Sequence, residues 1–514
     1  MRTMLRLWCV AAASVALGGC SALISFEEGV LPGQACAQAD ECRGEASCTG
    51  GVCVLPCAAD TDCPESTACR QGVCAAAGAA PFGARCASAS ECSTALCEDQ
   101  LCVSACTNDA GCPNGSACVA QICQPKLKAG FVFDAVVTNA TSGFAHTHDE
   151  GREAAKAALP WLETVSSEGN NATTVNAGLE RLLAEDVDVI FSTSGVFGTA
   201  AASKAAENPQ TKFLTYTGRA SANHVGYAAR FHQAWFVAGI VAGTFDAAVT
   251  RTGRIGFVAP LPVPQVIREL NAFMRGVQSV APNTVVEVVW ANGFAPSAAV
   301  TGKLVDYLVT GGCRIIVNRL GTRTVTDYVD ALPAMPRTYS IAVNDNDACA
   351  RTPRSCLGAP YWNWGVLYTR LLQEIRRGDF DAAKVINESM RADPAASAFH
   401  FTLNDTGIPE LASIAAQVAT SVTKVVGPAG EDIALSGPYC VSRADQRMPS
   451  CVAAGERITD EELGTMCWLV QGIKQPSDPE DPSSPLVDAF APDGTVFWPP
   501  QSVDPASIAK PSCR

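Results

Sequence analysis

The chain has 514 residues, more than one hydrophobic core organises, and at about 150 residues per domain it divides into roughly three folding units. Apolar residues make up 48% and charged residues 17%, an ordinary globular composition, but 25 cysteines point to an oxidising compartment. A formal net charge of −14 argues against a nucleic-acid partner, whose binding needs a basic surface.

The first elements are those of an export signal. Arg2 and Arg6 form a basic region, Leu7 to Leu17 an apolar stretch too short to span a bilayer, and Leu17-Gly18-Gly19-Cys20 a small-residue cleavage site of bacterial lipobox type. Residues 1–19 are therefore expected to be removed, leaving Cys20 as an acylated N-terminus that anchors the protein to the membrane. Residues 20–35 then form a linker. The expected location is the cell envelope of a Gram-negative bacterium, on the periplasmic or outer-membrane side, and Ser21, in place of the Asp of retained lipoproteins, would there sort the protein to the outer membrane. The most apolar later run, Phe231 to Phe245, contains His232 and Gln233 and reads as a buried core helix.

Residues 36–123 hold sixteen cysteines in four tandem modules. Cys36, Cys42, Cys48, Cys53 and then Cys57, Cys63, Cys69, Cys74 repeat C-x5-C-x5-C-x4-C. Cys86, Cys92, Cys97, Cys102 and Cys106, Cys112, Cys118, Cys123 follow, one module a residue shorter. An even count per module, no histidine and no C-x2-C pair indicate disulfides rather than zinc, with the connectivity open. Units this small lack a core, so the bridges must replace missing burial, which suits a rigid stalk or an interaction surface.

From residue 126 the texture changes to β-branched runs alternating with helical patterns. Ala129–Val137, Val187–Thr193, Lys212–Tyr216, Arg254–Ala259, Thr284–Trp290, Arg314–Asn318 and Thr338–Val343 read as strands. Val175, Leu179, Leu182 and Leu183 mark one amphipathic helix between them. Such alternation implies an α/β fold of parallel sheets covered by helices, and the strand count suits two Rossmann-like sheets in two lobes. Thr250–Arg254 is the expected break between them. Nine prolines from Pro476 to Pro511 mark residues 476–514 as an irregular tail.

Six ordered blocks then carry a resemblance. Gly143-Phe144-Ala145-His146-Thr147-His148-Asp149-Glu150-Gly151, Tyr227–Gly243, Gly253–Gly276, Trp290–Phe294, Pro360–Gly365 and Ile458–Leu463 are similar to the basic membrane protein family. The resemblance implies a type I periplasmic-binding-protein fold over residues 126–475. Lobe 1 would comprise about 126–250 and 361–392, and lobe 2 about 251–360 and 393–475. It further implies a substrate-binding protein of an ABC-type importer, with a permease and an ATPase as partners and a purine nucleobase or nucleoside as ligand.

Flat bases need aromatic faces and a few placed polar groups. On the family pattern these would come from Phe144, His148, Asp149, Ser194, Gly195, Phe294, Asp345, Asp347 and Trp362. Two departures bear on ribose recognition: Ala295-Pro296-Ser297 follows Phe294, and Trp362-Asn363-Trp364 stands near the place of a family lysine. A sensor or interaction lipoprotein using the same lobes without transport is the alternative.

An enzyme is not expected. His146-Thr147-His148 lacks the further ligands of an H-x-H-x-D-H metal site, and neither a P-loop nor a Gly-x-Ser-x-Gly elbow occurs. No cofactor or metal is implied. Seven cysteines remain, Cys313, Cys349, Cys356, Cys440, Cys451, Cys467 and Cys513; short loop closure favours Cys349 with Cys356 and Cys440 with Cys451, and Cys313, opening the strand Arg314–Asn318, is expected to be a buried free thiol.

Overall fold

The computed structural model describes residues 80–138, 140, 142–218, 221–384, 386–425, 432–443, 450–476 and 486–488, and shorter stretches at 38, 41–42, 47–49, 52–58, 62, 67–70 and 73–76. The expected signal, Cys20, the 20–35 linker and most of the proline-rich tail lie outside these residues. The chain forms two compact units, residues 1–113 with 120–124, and residues 114–119 with 125–514.

In the first unit the cysteine spacing becomes structure. Cys48 faces Cys53, Cys69 faces Cys74, and Cys97 faces Cys102 across short antiparallel pairings. In the third module the x4 gap is thus a two-residue hairpin turn with one ladder residue on each side. Asp99 and Gln100 take the positive φ values of 48° and 61° that a type I′ turn demands. The facing cysteines bond elsewhere: Cys86 joins Cys97 and Cys92 joins Cys102, so first pairs with third and second with fourth. Cys112–Cys123 repeats the second-to-fourth bond.

The second unit is α/β with two six-stranded sheets. The first is built from β1 (Leu127–Val132), β2 (Leu162–Ser167), β3 (Val189–Ser192), β4 (Lys212–Tyr216), β5 (His224–Ala229) and β11 (Ile386–Glu388), all parallel, in the order β2-β1-β3-β4-β5-β11. The second uses β6 (Arg254–Ala259), β7 (Val285–Trp290), β8 (Ile315–Asn318), β9 (Tyr339–Ile341), β16 (Ile473–Pro476) and β17 (Leu486–Asp488), in the order β9-β8-β6-β7-β16-β17. Only β17 is antiparallel. The proline-rich tail therefore contributes a strand, because Lys474–Pro476 present an edge that Leu486–Asp488 pair with. Every residue of β3 and β8 is buried, as parallel strands covered on both faces require.

Helices α1 (Phe144–Ala158), α2 (Val175–Leu183) and α3 (Gly198–Glu207) belong to the first lobe, and α5 (Pro264–Gln278), α6 (Ala298–Thr310) and α7 (Thr324–Asp330) to the second. Between the two sets runs α4 (His232–Phe245), in which 12 of 14 residues are buried. With the turn that follows it, His232–Thr250 is long and apolar enough to cross a membrane, but it packs as a core helix. It crosses α5 at glycines: a Cβ on Gly239 would lie 2.0 Å from the carbonyl of Phe273, and one on Gly276 2.0 Å from that of Phe236.

The chain passes between lobes three times. The first passage, after α4, is organised by buried Asp246, which accepts from Thr252 N at 3.1 Å, Thr252 Oγ1 at 2.8 Å and Gly253 N at 3.0 Å. The other two are β10 (Gly358–Trp362), which leads into α8 (Trp364–Arg376), and β12 (Phe399–Leu403), paired antiparallel. Beyond α9 (Ala415–Val425), strands β13 (Tyr439–Arg443), β14 (Ser450–Val452) and β15 (Trp468–Val470) form a small sheet beside α10 (Asp460–Gly464). Asn271 of α5 holds it by donating to Trp468 O at 2.8 Å and accepting from Val470 N at 2.9 Å. Cys349–Cys356 and Cys440–Cys451 are bridged, and Cys313 is a buried free thiol that donates to Glu287.

Candidate functional site

A cavity of about 700 Å³ opens where the C-terminal ends of both parallel sheets face each other. This is where strand order places ligands in open α/β sheets. Loops after β1, β3 and β4 supply Asp134, Ser194 and Thr217 from the first lobe. The first turn of α5 and the loops after β7, β8 and β9 supply Gln265, Phe294, Arg319 and Asn344 from the second. Its wall is largely apolar and aromatic, with polar groups from both lobes, within the size range of small-molecule sites.

Of the nine residues expected at the site, five line this cavity: Phe144, Ser194, Gly195, Phe294 and Trp362. Phe294 is 41% exposed, and the guanidinium of Arg319 stands 5.9 Å from its ring centre. Trp362 presents only an edge. Its two faces are covered by Phe231, with centroids 3.9 Å apart, and Trp364, at 4.3 Å. Gly195 keeps the wall open, since a Cβ there would sit 2.5 Å from Thr217 Oγ1.

The other four do not line it. His148, one helical turn beyond Phe144, turns inward, is fully buried and bonds through Nδ1 to the hydroxyl of Tyr368 at 2.6 Å. Asp149 pairs with Arg152 on α1 at 2.7 Å. Asp345 is buried beside the start of α1, whose Gly143 N–H it accepts, and Asp347 is exposed on the same loop. Burial, with the nearby carboxylate of Glu150 adding to it, pushes the Asp345 carboxyl up to about 7.

Sequence reasoning missed a polar bridge across the cavity. Gln265 Nε2 donates to Tyr216 Oη in the first lobe at 3.2 Å and to Glu269 Oε1 at 3.2 Å. Buried Glu269 pairs in turn with Arg319. Burial, reinforced by Glu269, pushes the Tyr216 hydroxyl up to about 12, so it stays protonated. Asp134, Thr217 and Arg319 each stand within two positions of a strand's C-terminal end, and that placement was the signal available for them.

A relative from Brucella abortus, a purine-binding protein, is 27% identical over 274 residues, covering 51% of this chain and 72% of its own length. A candidate ABC transporter glucose-binding protein from Haloferax volcanii is 27% identical over 242 residues, 47% of this chain, which spans 59% of that relative. Among solved structures, an ABC transporter solute-binding protein from Aeropyrum pernix K1 matches with TM-score 0.47 and 17% identity over 58% of this chain and 85% of the other. The sequence profile described as "ABC transporter substrate-binding protein PnrA-like" matches residues 126–393, just over half of the chain, and the protein belongs to that family, Bmp.

Proposed function

We propose that the protein is an extracytoplasmic substrate-binding receptor, tethered by a lipid on Cys20, that takes up a purine nucleobase or nucleoside between its lobes and presents it to an ABC permease and ATPase. The cavity is the observation that carries this reading: an aromatic, largely apolar chamber of about 700 Å³ with polar groups contributed by both lobes. Phe294, half-exposed at its wall, has a face for a flat ring to stack on. Asp134, Thr217, Gln265 and Asn344 offer donors and acceptors for the edges of a base. The purine-binding relative from Brucella abortus supports the ligand class.

Aromatic walls also stack on sugars, and one relative carries a glucose-binding name. Calorimetric titration of the full chain with adenine, guanine, adenosine, guanosine, inosine and glucose separates the two. Micromolar binding of a purine supports the proposal. Glucose binding with no purine response at millimolar concentration overturns the ligand class, and native mass spectrometry of the protein as purified identifies what it carries instead.

A further inference from the structure

Three metal-ligating side chains meet at the edge of the cavity from elements far apart in sequence. His146 and Glu150 stand one turn apart on α1, in the first lobe, and Asp345 arrives beside them on the loop after β9, in the second. One donor atom from each lies within 4.8 Å of the other two.

Ordinary contacts account for part of this arrangement. His146 Nε2 and Glu150 Oε1 are 3.4 Å apart as an i,i+4 ion pair, and Asp345 accepts the N–H of Gly143 at the start of α1. They do not account for the rest. Asp345 is only 4% exposed, yet its Oδ1 has no hydrogen-bond partner, and the buried Nδ1 of His146 has none either. An orphaned carboxylate oxygen on a buried side chain is costly unless a proton or a cation completes it.

We infer that His146, Glu150 and Asp345 form a site for a divalent cation of the Zn²⁺ or Mn²⁺ class that ties the two lobes together at the cavity wall. One imidazole and two carboxylates suit a borderline first-row ion. Ca²⁺ wants six to eight oxygen ligands, and Mg²⁺ keeps much of its water. A Zn²⁺ ion with ligands at about 2.0–2.2 Å draws its donors closer than 4.8 Å. Half-exposed Glu150, with 57% of its side chain accessible, has the freedom to move inward. Because α1 and the β9 loop belong to different lobes, the bound ion favours whichever interlobe arrangement brings the three together. His146 also lines the cavity, so the ion would affect solute retention. This assignment does not depend on the identity of the solute.

The test uses the untagged full-length protein, kept oxidised and stripped with a chelator, titrated with ZnCl₂, MnCl₂ and CaCl₂ by calorimetry, with metal content measured after gel filtration. One equivalent of Zn²⁺ or Mn²⁺ should bind, raising the melting temperature. His146→Ala and Asp345→Asn should each weaken binding at least tenfold and abolish that rise. Cys313→Ser, which removes the free thiol, should leave both unchanged. The apo melting curve of isosteric Asp345→Asn checks that the variant is folded. Stoichiometric binding that survives both substitutions, binding of Ca²⁺ alone, or no stoichiometric binding to the parent overturns the assignment.

Discussion

The imidazole of His148 lies flat on the indole of Trp364, with ring centroids 4.2 Å apart and planes 17° from parallel. Trp364 stacks in turn on Trp362, and Trp362 on Phe231, so four rings form one column beneath the cavity. Burial pushes the His148 imidazole well below its ordinary value, which keeps it neutral, and Tyr368 takes its Nδ1. His148→Ala should therefore cost roughly 2–4 kcal/mol of stability, as large-to-small core changes do, seen as a lower urea midpoint. Solute affinity of the folded fraction should change less than about threefold, below 1 kcal/mol. A loss of affinity at unchanged stability would make His148 a ligand contact.

Phe294 should behave in the opposite way. A stacking aromatic contributes about 1–3 kcal/mol per base, so Phe294→Ala should weaken purine binding roughly tenfold to a hundredfold. With 41% of the residue exposed, the ligand-free melting temperature should barely move. Calorimetry and apo melting of parent and variant read the two effects separately. Unchanged affinity would move the stacking role to Phe144, which lines the same cavity.

The α4–α5 crossing has no room for a methyl group. Gly239→Ala would place a Cβ 2.0 Å from a backbone carbonyl that belongs to a helix and cannot swing aside. Overpacking of this kind costs about 1–3 kcal/mol, so the variant should unfold at lower denaturant than the parent. Gly455→Ala, in a turn with no neighbour within 4 Å, tests strain from positive φ (81°) alone and should cost about 1 kcal/mol.

Asp432 links acid stability to the start of α4. Burial alone would raise its carboxyl, but His232 and Arg230 beside it hold it well below the usual carboxylate range. A depressed folded value means that this carboxylate's contribution is complete above the unfolded value of about 4 and is lost as pH falls further. Asp432→Asn should lose about 1–3 kcal/mol at neutral pH and show a shallower fall in stability below pH about 4. Urea melts from pH 7 to pH 3 give both readouts, and parallel curves for parent and variant would contradict the linkage.

The fold was readable where a strand carries a run of β-branched or aromatic residues. Ile315–Asn318 and Arg254–Ala259 are β-branched or aromatic on both faces because helices cover both sides of the sheet. Leu162–Ser167 escaped notice because it is an edge strand whose residues Glu163, Thr164, Ser166 and Ser167 read as a loop. His224–Ala229 escaped because its Gly-Tyr-Ala-Ala stretch carries no β-branched run. At the site, the family pattern led to Phe144 and Phe294, which line the cavity. It could not tell that His148 turns inward, since that depends on Trp364 lying more than two hundred positions away. Nor could it find Gln265 or Arg319, which meet through Glu269 within the second lobe and reach Tyr216 of the first only when the lobes face each other.

The second sheet begins at Arg254 and finishes last. Its β7, already paired with β6, receives its second neighbour only when Ile473 and Lys474 arrive, whereas the first sheet has its final strand by Glu388. A chain made N-terminus first at about 5–20 residues per second thus carries an open parallel edge for roughly 10–40 seconds. A chain cut at residue 393, where the family match ends, would carry it permanently. Val285–Trp290 is apolar apart from Glu287 and almost wholly buried in the finished protein, so that exposed edge is a template for aggregation. Residues 473–476 thus act as the closing stitch that keeps newly made copies from joining edge to edge.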